Sequence, residues 1–172
     1  HYPNTNGFDW FINNCWENIY NANNTLELYV IGAWSSKIIE AYNQRFKNIT
    51  FAGVVDDLSK ELENSIMVVP IHIGSGIRIK VLDGINNGTP IISTSKGIEG
   101  LALTDGKDCF VRDSSRGFTE AVLTLAADNQ LCDTFQREAR KSLEIFQHPD
   151  DLVKVRLDIY QSIIGKPINL KK

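Results

Sequence analysis

A chain of 172 residues with 42% hydrophobic and 23% charged side chains is long enough to bury one core of ordinary domain size and too apolar for a disordered segment. Its net charge of -3 gives no sequence-wide attraction to nucleic acid. The three cysteines, Cys15, Cys109 and Cys132, are widely spaced and odd in number, which excludes metal-type spacing and reads as free thiols in a reducing cytoplasm. No signal peptide opens the sequence and no apolar run is long enough to cross a bilayer, so a cytoplasmic location is expected. The opening residues His1 to Gly7 read as loop, and the abrupt start as a fragment of a longer protein.

In chain order, Phe8, Phe11, Ile12, Cys15, Trp16 and Ile19 recur at helical spacing and predict a helix over 8–20, capped by nearby Asn and Asp residues. Residues 26–31 form a short apolar run ending in Gly32, a buried strand. A helix follows over 36–46, with Ile38, Ile39, Tyr42 and Phe46 on one side, then a strand over 49–53. Asp56 is placed to cap a short helix through Leu62. Residues 66–71 are apolar at nearly every position and predict a third strand; 90–94 a fourth; 109–111 an edge strand; and from Ser115 onward the pattern is helical almost to the end. Lys166 to Lys172 read as a basic tail after a domain over 1–165. Continuous apolar strands alternating with helices predict an α/β fold: a doubly wound, Rossmann-like parallel sheet with helices on both faces and extra C-terminal helices. Ligands in such sheets sit outside the carboxyl ends of the strands, which puts Gly32, Gly53, the 74–76 turn and the 93–100 loop on one rim.

The stretch from Pro70 to Pro90 carries the most chemistry. It joins a buried strand to a turn containing Gly74, Ser75 and Gly76, then to a helix bearing Arg78, Lys80 and Asp83, and then, past Gly88, to a second strand. A glycine turn opening a helix presents backbone N–H groups at the positive end of the helix dipole, an arrangement that binds phosphate. Lys80 and Asp83, three apart, are surface neighbours on that helix; a cation can hold a diphosphate and a carboxylate can accept from ribose hydroxyls. The same residues have plainer roles available: a tight turn, a solvated lysine, a surface carboxylate. His72 reads as a packed strand-end histidine, and Glu99 either orients ligand hydroxyls or caps its own loop. Trp10, Trp16 and Trp34 read as packing residues, and 137–141 as a solvated helix face. No Asp-x-Asp metal motif occurs.

Taken together, these pieces resemble the C-terminal, nucleotide-sugar-binding half of a GT-B glycosyltransferase of the retaining group called family 4 or group 1. The matching segments are His1-Tyr2-Pro3-Asn4 with Gly7 and Trp10-Phe11; Leu28 to Gly32; Ile49 to Leu58; Pro70 to Pro90; Ser93-Thr94 with Gly97, Glu99, Gly100 and Leu101; and Asp105-Gly106. The resemblance implies a sugar moved from a nucleotide diphosphate donor (UDP-, GDP-, ADP- or dTDP-linked) to an acceptor with retention of configuration and no metal. In that family two glutamates, separated by seven residues, hold the donor sugar and the ribose. Counted here they fall on Ser75, which departs from the pattern, and on Asp83. The resemblance assigns donor binding to Gly74, Ser75, Gly76, Ile77, Arg78, Lys80 and Asp83, with Gly53, Val54 and Val55 flanking the base and Glu99 at the rim; no residue is assigned as catalytic. The family's first C-terminal strand and its acceptor half would lie before His1, so these residues alone should bind donor weakly and catalyse nothing. Peripheral membrane association would come through the full-length protein. A nucleotide-sugar epimerase of the same fold and a non-catalytic α/β interaction module are the alternatives.

Overall fold

The computed structural model describes residues 2–147. Helix α1 (Tyr2–Phe11) continues through a π-helical turn (Ile12–Trp16) into α2 (Glu17–Ala22). Then follow β1 (Leu28–Ile31), α3 (Ser36–Asn43), β2 (Ile49–Gly53), α4 (Leu58–Glu61), β3 (Met67–Val69), α5 (Ile79–Asn86), β4 (Ile91–Ser93), β5 (Phe110–Val111), α6 (Ser115–Ala127) and α7 (Asn129–Gln147). Every strand pairing in these elements is parallel, as the alternation of strands and helices requires. The strands fall into two sheets, β1-β2 and β3-β4-β5, where the sequence predicts one. Among the described residues β5 pairs only with β4, as expected of an edge.

Alternation along each strand sorts the side chains into two layers. Leu28 and Val30 of β1 and Ile92 of β4 enter a core with Phe11, Ile12, Trp16 and Phe118, so α1, the π turn and α6 cover one face. Val69 and Ile91 point the other way, into a second core with Val81 and Ile85 of α5 and Ala139 and Leu143 of α7. Helices thus lie on both faces of the strands, the predicted doubly wound arrangement. Trp16 is buried and Trp10 and Trp34 are partly buried against the first core, as packing residues. Cys15 and Cys109 are buried and all three thiols are free. Burial pushes the Cys15 thiol up to about 12 and raises Cys132, and burial beside Asp108 raises Cys109, so none is a ready nucleophile.

Several boundaries differ from expectation for identifiable reasons. The chain is helical from Tyr2, not loop to Gly7. Proline is tolerated in a first turn, and Gly7, a poor helix former, is needed because a Cβ there would lie 2.3 Å from the Pro70 carbonyl oxygen. Asp57 rather than Asp56 caps α4, its carboxylate accepting from the Ser59 amide at 3.1 Å. Arg140 is not part of a wholly solvated face: it donates to the Asn86 carbonyl at 3.2 Å and reaches that of Ile85 at 3.5 Å, covering carbonyls at the end of α5. Helix α5 also ends in a Schellman turn, Gly88 donating to Ile85 and Thr89 to Gly84, with Gly88 at a φ of 70°. The expected tail over 166–172 and the continuation of helix past Gln147 lie outside the described residues.

Candidate functional site

The carboxyl ends of β1, β2, β3 and β4 lead into Gly32, the segment after Gly53, the 70–78 loop and the 94–100 loop, the rim that the sequence pattern anticipates. The 70–78 loop is the best-built part of it. Gly74 and Gly76 hold φ values of 104° and 85°, which L side chains rarely adopt, and they fold the loop back on itself. The helix begins later than predicted, at Ile79, with Arg78 as its N-cap residue and no side chain capping it. The glycines therefore shape the approach to the helix, and the amides at the dipole's positive end belong to its first turn, Ile79 and Lys80.

Arg78 folds under the turn. Its Nη1 donates to the Ser75 carbonyl at 2.8 Å, while Nε and Nη2 are buried and lack a hydrogen-bond partner among the described residues. A Cβ on Gly74 would sit 3.2 Å from Nη2, so glycine is what lets the guanidinium lie against the loop backbone. Buried guanidinium N–H groups left unpaired carry a desolvation cost, and an anion is the ligand that would offset it. Lys80, half-buried, leans toward α1 and donates from Nζ to Asn4 Oδ1 at 2.8 Å. Burial first, and the Arg78 charge second, hold its ammonium below the usual 10.5. An ammonium whose charge is disfavoured by burial and by a neighbouring guanidinium marks a site poised for an anion.

The other residues expected in the site are placed as follows. Asp83 is one turn beyond Lys80 on α5, half-buried. Ser75 is exposed in the turn, and Ile77 and Ile79 present exposed apolar side chains beside it. The 94–100 loop abuts the turn, since a Cβ on Gly100 would be 3.3 Å from Ile77. Glu99 lies on that loop and pairs with Lys96 at 2.7 Å, a surface ion pair rather than a cap on its own loop. Gly53 ends β2 and Val54 and Val55 follow it, on the other sheet from the glycine turn; Val54 is 79% exposed. His72 packs edge-on against Trp10 with ring centroids 4.4 Å apart, as a packed histidine should, though its buried Nε2 has no partner among the described residues. Among those residues no group of three His, Cys, Asp or Glu side chains is placed to hold a metal, and no helix is long and apolar enough to cross a membrane. Asn4 and Pro3, which meet Lys80 and the glycine turn, were not anticipated from the sequence as site neighbours. The Pro3 ring is a first-turn signal, but nothing local shows that the helix it opens docks on the 70–80 segment.

A family model described as glycosyl transferases group 1 matches residues 1–128. The chain belongs to the group 1 glycosyltransferases. Solved structures agree on the fold, which is the Rossmann-like C-terminal domain of a GT-B architecture. TarM of S. aureus matches with 16% identity and a TM-score of 0.75 over 88% of this chain and 32% of TarM. The pneumococcal O-GlcNAc transferase GtfA, solved with UDP and GlcNAc, matches with 16% identity and a TM-score of 0.64, covering 91% of this chain and 33% of GtfA. The C-terminal domain of the group 1 glycosyl transferase LpcC from Francisella tularensis matches with 17% identity and a TM-score of 0.64 over 83% of this chain and 78% of that domain. This group 1 chain thus spans about a third of the length of TarM and GtfA. No curated protein matches the sequence. The comparisons give the epimerase alternative no support.

Proposed function

We propose that this chain is the donor-binding half of a retaining glycosyltransferase that takes a nucleoside diphosphate sugar. The observation that carries the reading is Arg78, whose guanidinium has two buried nitrogens without a partner among the described residues, under a glycine turn at the start of α5. Its support is the family membership, and GtfA was solved with UDP and GlcNAc. In the transfer, negative charge gathers on the departing diphosphate. Arg78, Lys80 and the first-turn amides of α5 would stabilise that charge without rearrangement, because folding has already positioned them. Asp83 would accept from ribose hydroxyls, and Val54 and Val55 would flank the base. The acceptor and the rest of the active-site cleft belong to polypeptide other than these residues, which on their own would bind donor weakly and turn nothing over. The transferase acts in the cytoplasm in this reading.

The deciding experiment is calorimetry with UDP, GDP, ADP and dTDP against the matching nucleosides. At least one diphosphate should bind more tightly than its nucleoside, each charge-assisted contact contributing about 1.5–3 kcal/mol. Equal affinity for every such pair would end the phosphate assignment.

Asp83→Ala should weaken binding of the preferred diphosphate by roughly 1–3 kcal/mol, and Asp83→Asn by less, because the amide keeps one acceptor. A 2′,3′-dideoxy nucleotide should be indifferent to both changes. If it loses as much as the normal ligand, Asp83 does not hold the ribose.

Affinity should also depend on pH through Lys80. A lysine whose pKa falls on folding destabilises the free protein while protonated, and that cost disappears as pH rises through the lowered value toward 10.5. A bound diphosphate reverses the preference and favours the proton. Diphosphate affinity should therefore fall as pH climbs from neutrality toward 10.5, and Lys80→Gln should flatten that part of the profile. An unchanged profile in the variant would remove Lys80 from the site.

A further inference from the structure

Helix α1 lies along the 70–80 segment by one face. A Cβ on Gly74 would be 3.4 Å from the Pro3 ring, a Cβ on Gly7 would meet the Pro70 carbonyl, and Trp10 packs edge-on against His72. Positions 3, 7 and 10 share a helix face, so three successive turns of α1 are held to the loop and its rotation is fixed. Asn4, beside Pro3 in the first turn, is thereby set opposite Lys80, and its Oδ1 accepts from Nζ at 2.8 Å. The partner decides which end of the amide faces it: an ammonium only donates, so the acceptor is the oxygen. Asn4 is exposed, whereas Lys80 is half-buried. Arg78 of the loop is the charge that acts on this ammonium. The other titratable groups nearby are engaged or set apart: His72 is packed on Trp10, Asp83 lies one turn along α5, Tyr2 is 75% exposed, and Asp9 bonds to Tyr42 of α3. Among the described residues no carboxylate is ion-paired with Lys80. A neutral amide holds it instead. The amide fixes the direction of a flexible four-carbon side chain, an ordering that a ligand would otherwise have to impose, and leaves the positive charge uncancelled. A carboxylate in the same place would orient the ammonium and neutralise it.

We propose that Asn4 is a positioning residue of the diphosphate site: its side-chain oxygen fixes the Lys80 ammonium beside the start of α5 and leaves the charge for a phosphate oxygen. The inference rests on the diphosphate reading given above. Burial and the Arg78 charge both disfavour the protonated lysine, which makes it the more dependent on an acceptor that does not cancel it. Asn4 acts through Lys80, so its contribution should vanish when Lys80 is removed.

Calorimetric titration of inorganic pyrophosphate into the full chain, repeated from neutrality toward pH 10.5, tests this. Near neutrality Lys80→Met should weaken pyrophosphate by about 10-fold, through the lost charge-assisted contact. Asn4→Ala should weaken it by about 3- to 10-fold, because the ligand must now order the lysine itself. Asn4→Asp should weaken it by about 10-fold, because the carboxylate competes for the ammonium and repels the anion. In the Lys80→Met background Asn4→Ala should change affinity by less than about 2-fold. The pH profile separates positioning from packing. Affinity falls as pH rises through the value at which Lys80 loses its proton in the free protein; Asn4→Asp should move that fall to higher pH and Asn4→Ala to lower pH. Melting temperatures should stay near that of the parent, since Asn4 is exposed. Losses that add in the double variant overturn the proposal and leave the diphosphate reading standing, as do Asn4 variants whose affinity and pH profile match the parent's. Pyrophosphate affinity untouched by Lys80→Met would instead remove Lys80 from the site, and the proposal with it.

Discussion

Phe118→Ala is expected to destabilise the chain by about 3–5 kcal/mol. The ring is fully buried in α6 and meets Trp10 and Phe11 of α1 edge-on, with centroids 5.6 and 5.9 Å apart. Truncation removes apolar burial and leaves a cavity between two helices and β4, in a core whose other large members, Ile12, Ile92 and Phe135, are each no more than 1% exposed. For a domain of this size the melting temperature should fall on the order of 10 °C. The effect should reach the candidate site, because α6 holds down the same helix that presents Pro3 and Asn4 to the glycine turn and Lys80. Below the transition, diphosphate affinity should fall modestly alongside the stability. A stability loss under about 1 kcal/mol would mean that α1 and α6 are not packed through this ring.

Arg78→Met should do the reverse: large loss of binding with no loss of stability. Among the described residues the guanidinium hydrogen-bonds to the Ser75 carbonyl, and its buried Nε and Nη2 have no partner. Methionine fills similar volume without unpaired donors, so the melting temperature should hold or rise. Diphosphate affinity should drop by roughly 10- to 100-fold, the equivalent of about 1.5–3 kcal/mol for a charge-assisted contact to a phosphate. Arg78→Lys should recover only part of it, since an ammonium cannot present the planar fork. Titration and a thermal melt on the same samples distinguish the outcomes. A variant that melts well below the parent while binding normally would make Arg78 a structural residue, and the proposed function would lose its main support.

How the elements align with the sequence pattern follows from where the determining forces act. The strand over 49–53 is present as Ile49–Gly53, and the strands around it differ only at their ends. Continuous apolar runs stopped by glycine are local signals, and burial on both faces leaves such a run few other conformations. The glycine turn ahead of a helix that ends near Gly88 was equally visible, since positive φ values and a Schellman stop depend on the residues at those positions. The order of these pieces was enough to mark the family.

What the sequence by itself determined, then, is the set of local conformations: which segments extend, where the chain turns, and which face of each helix is apolar. The tertiary structure alone decided the rest. Helix α1 begins at Tyr2 because Gly7 fits against Pro70, some sixty residues along the chain, a contact that outweighs glycine's poor helix propensity. Lys80 turns to Asn4, Arg140 covers the end of α5, and Arg78 lies under Gly74 with two of its three nitrogens unpartnered among the described residues, arrangements that periodicity does not encode. The division of the strands into two sheets is of the same kind. A strand's pattern records that both its faces are buried, but hydrogen bonds across its edges belong to whichever strand lies alongside, and only the assembled chain shows that, among the described residues, β1 pairs with β2 and β3 with β4 but not with each other.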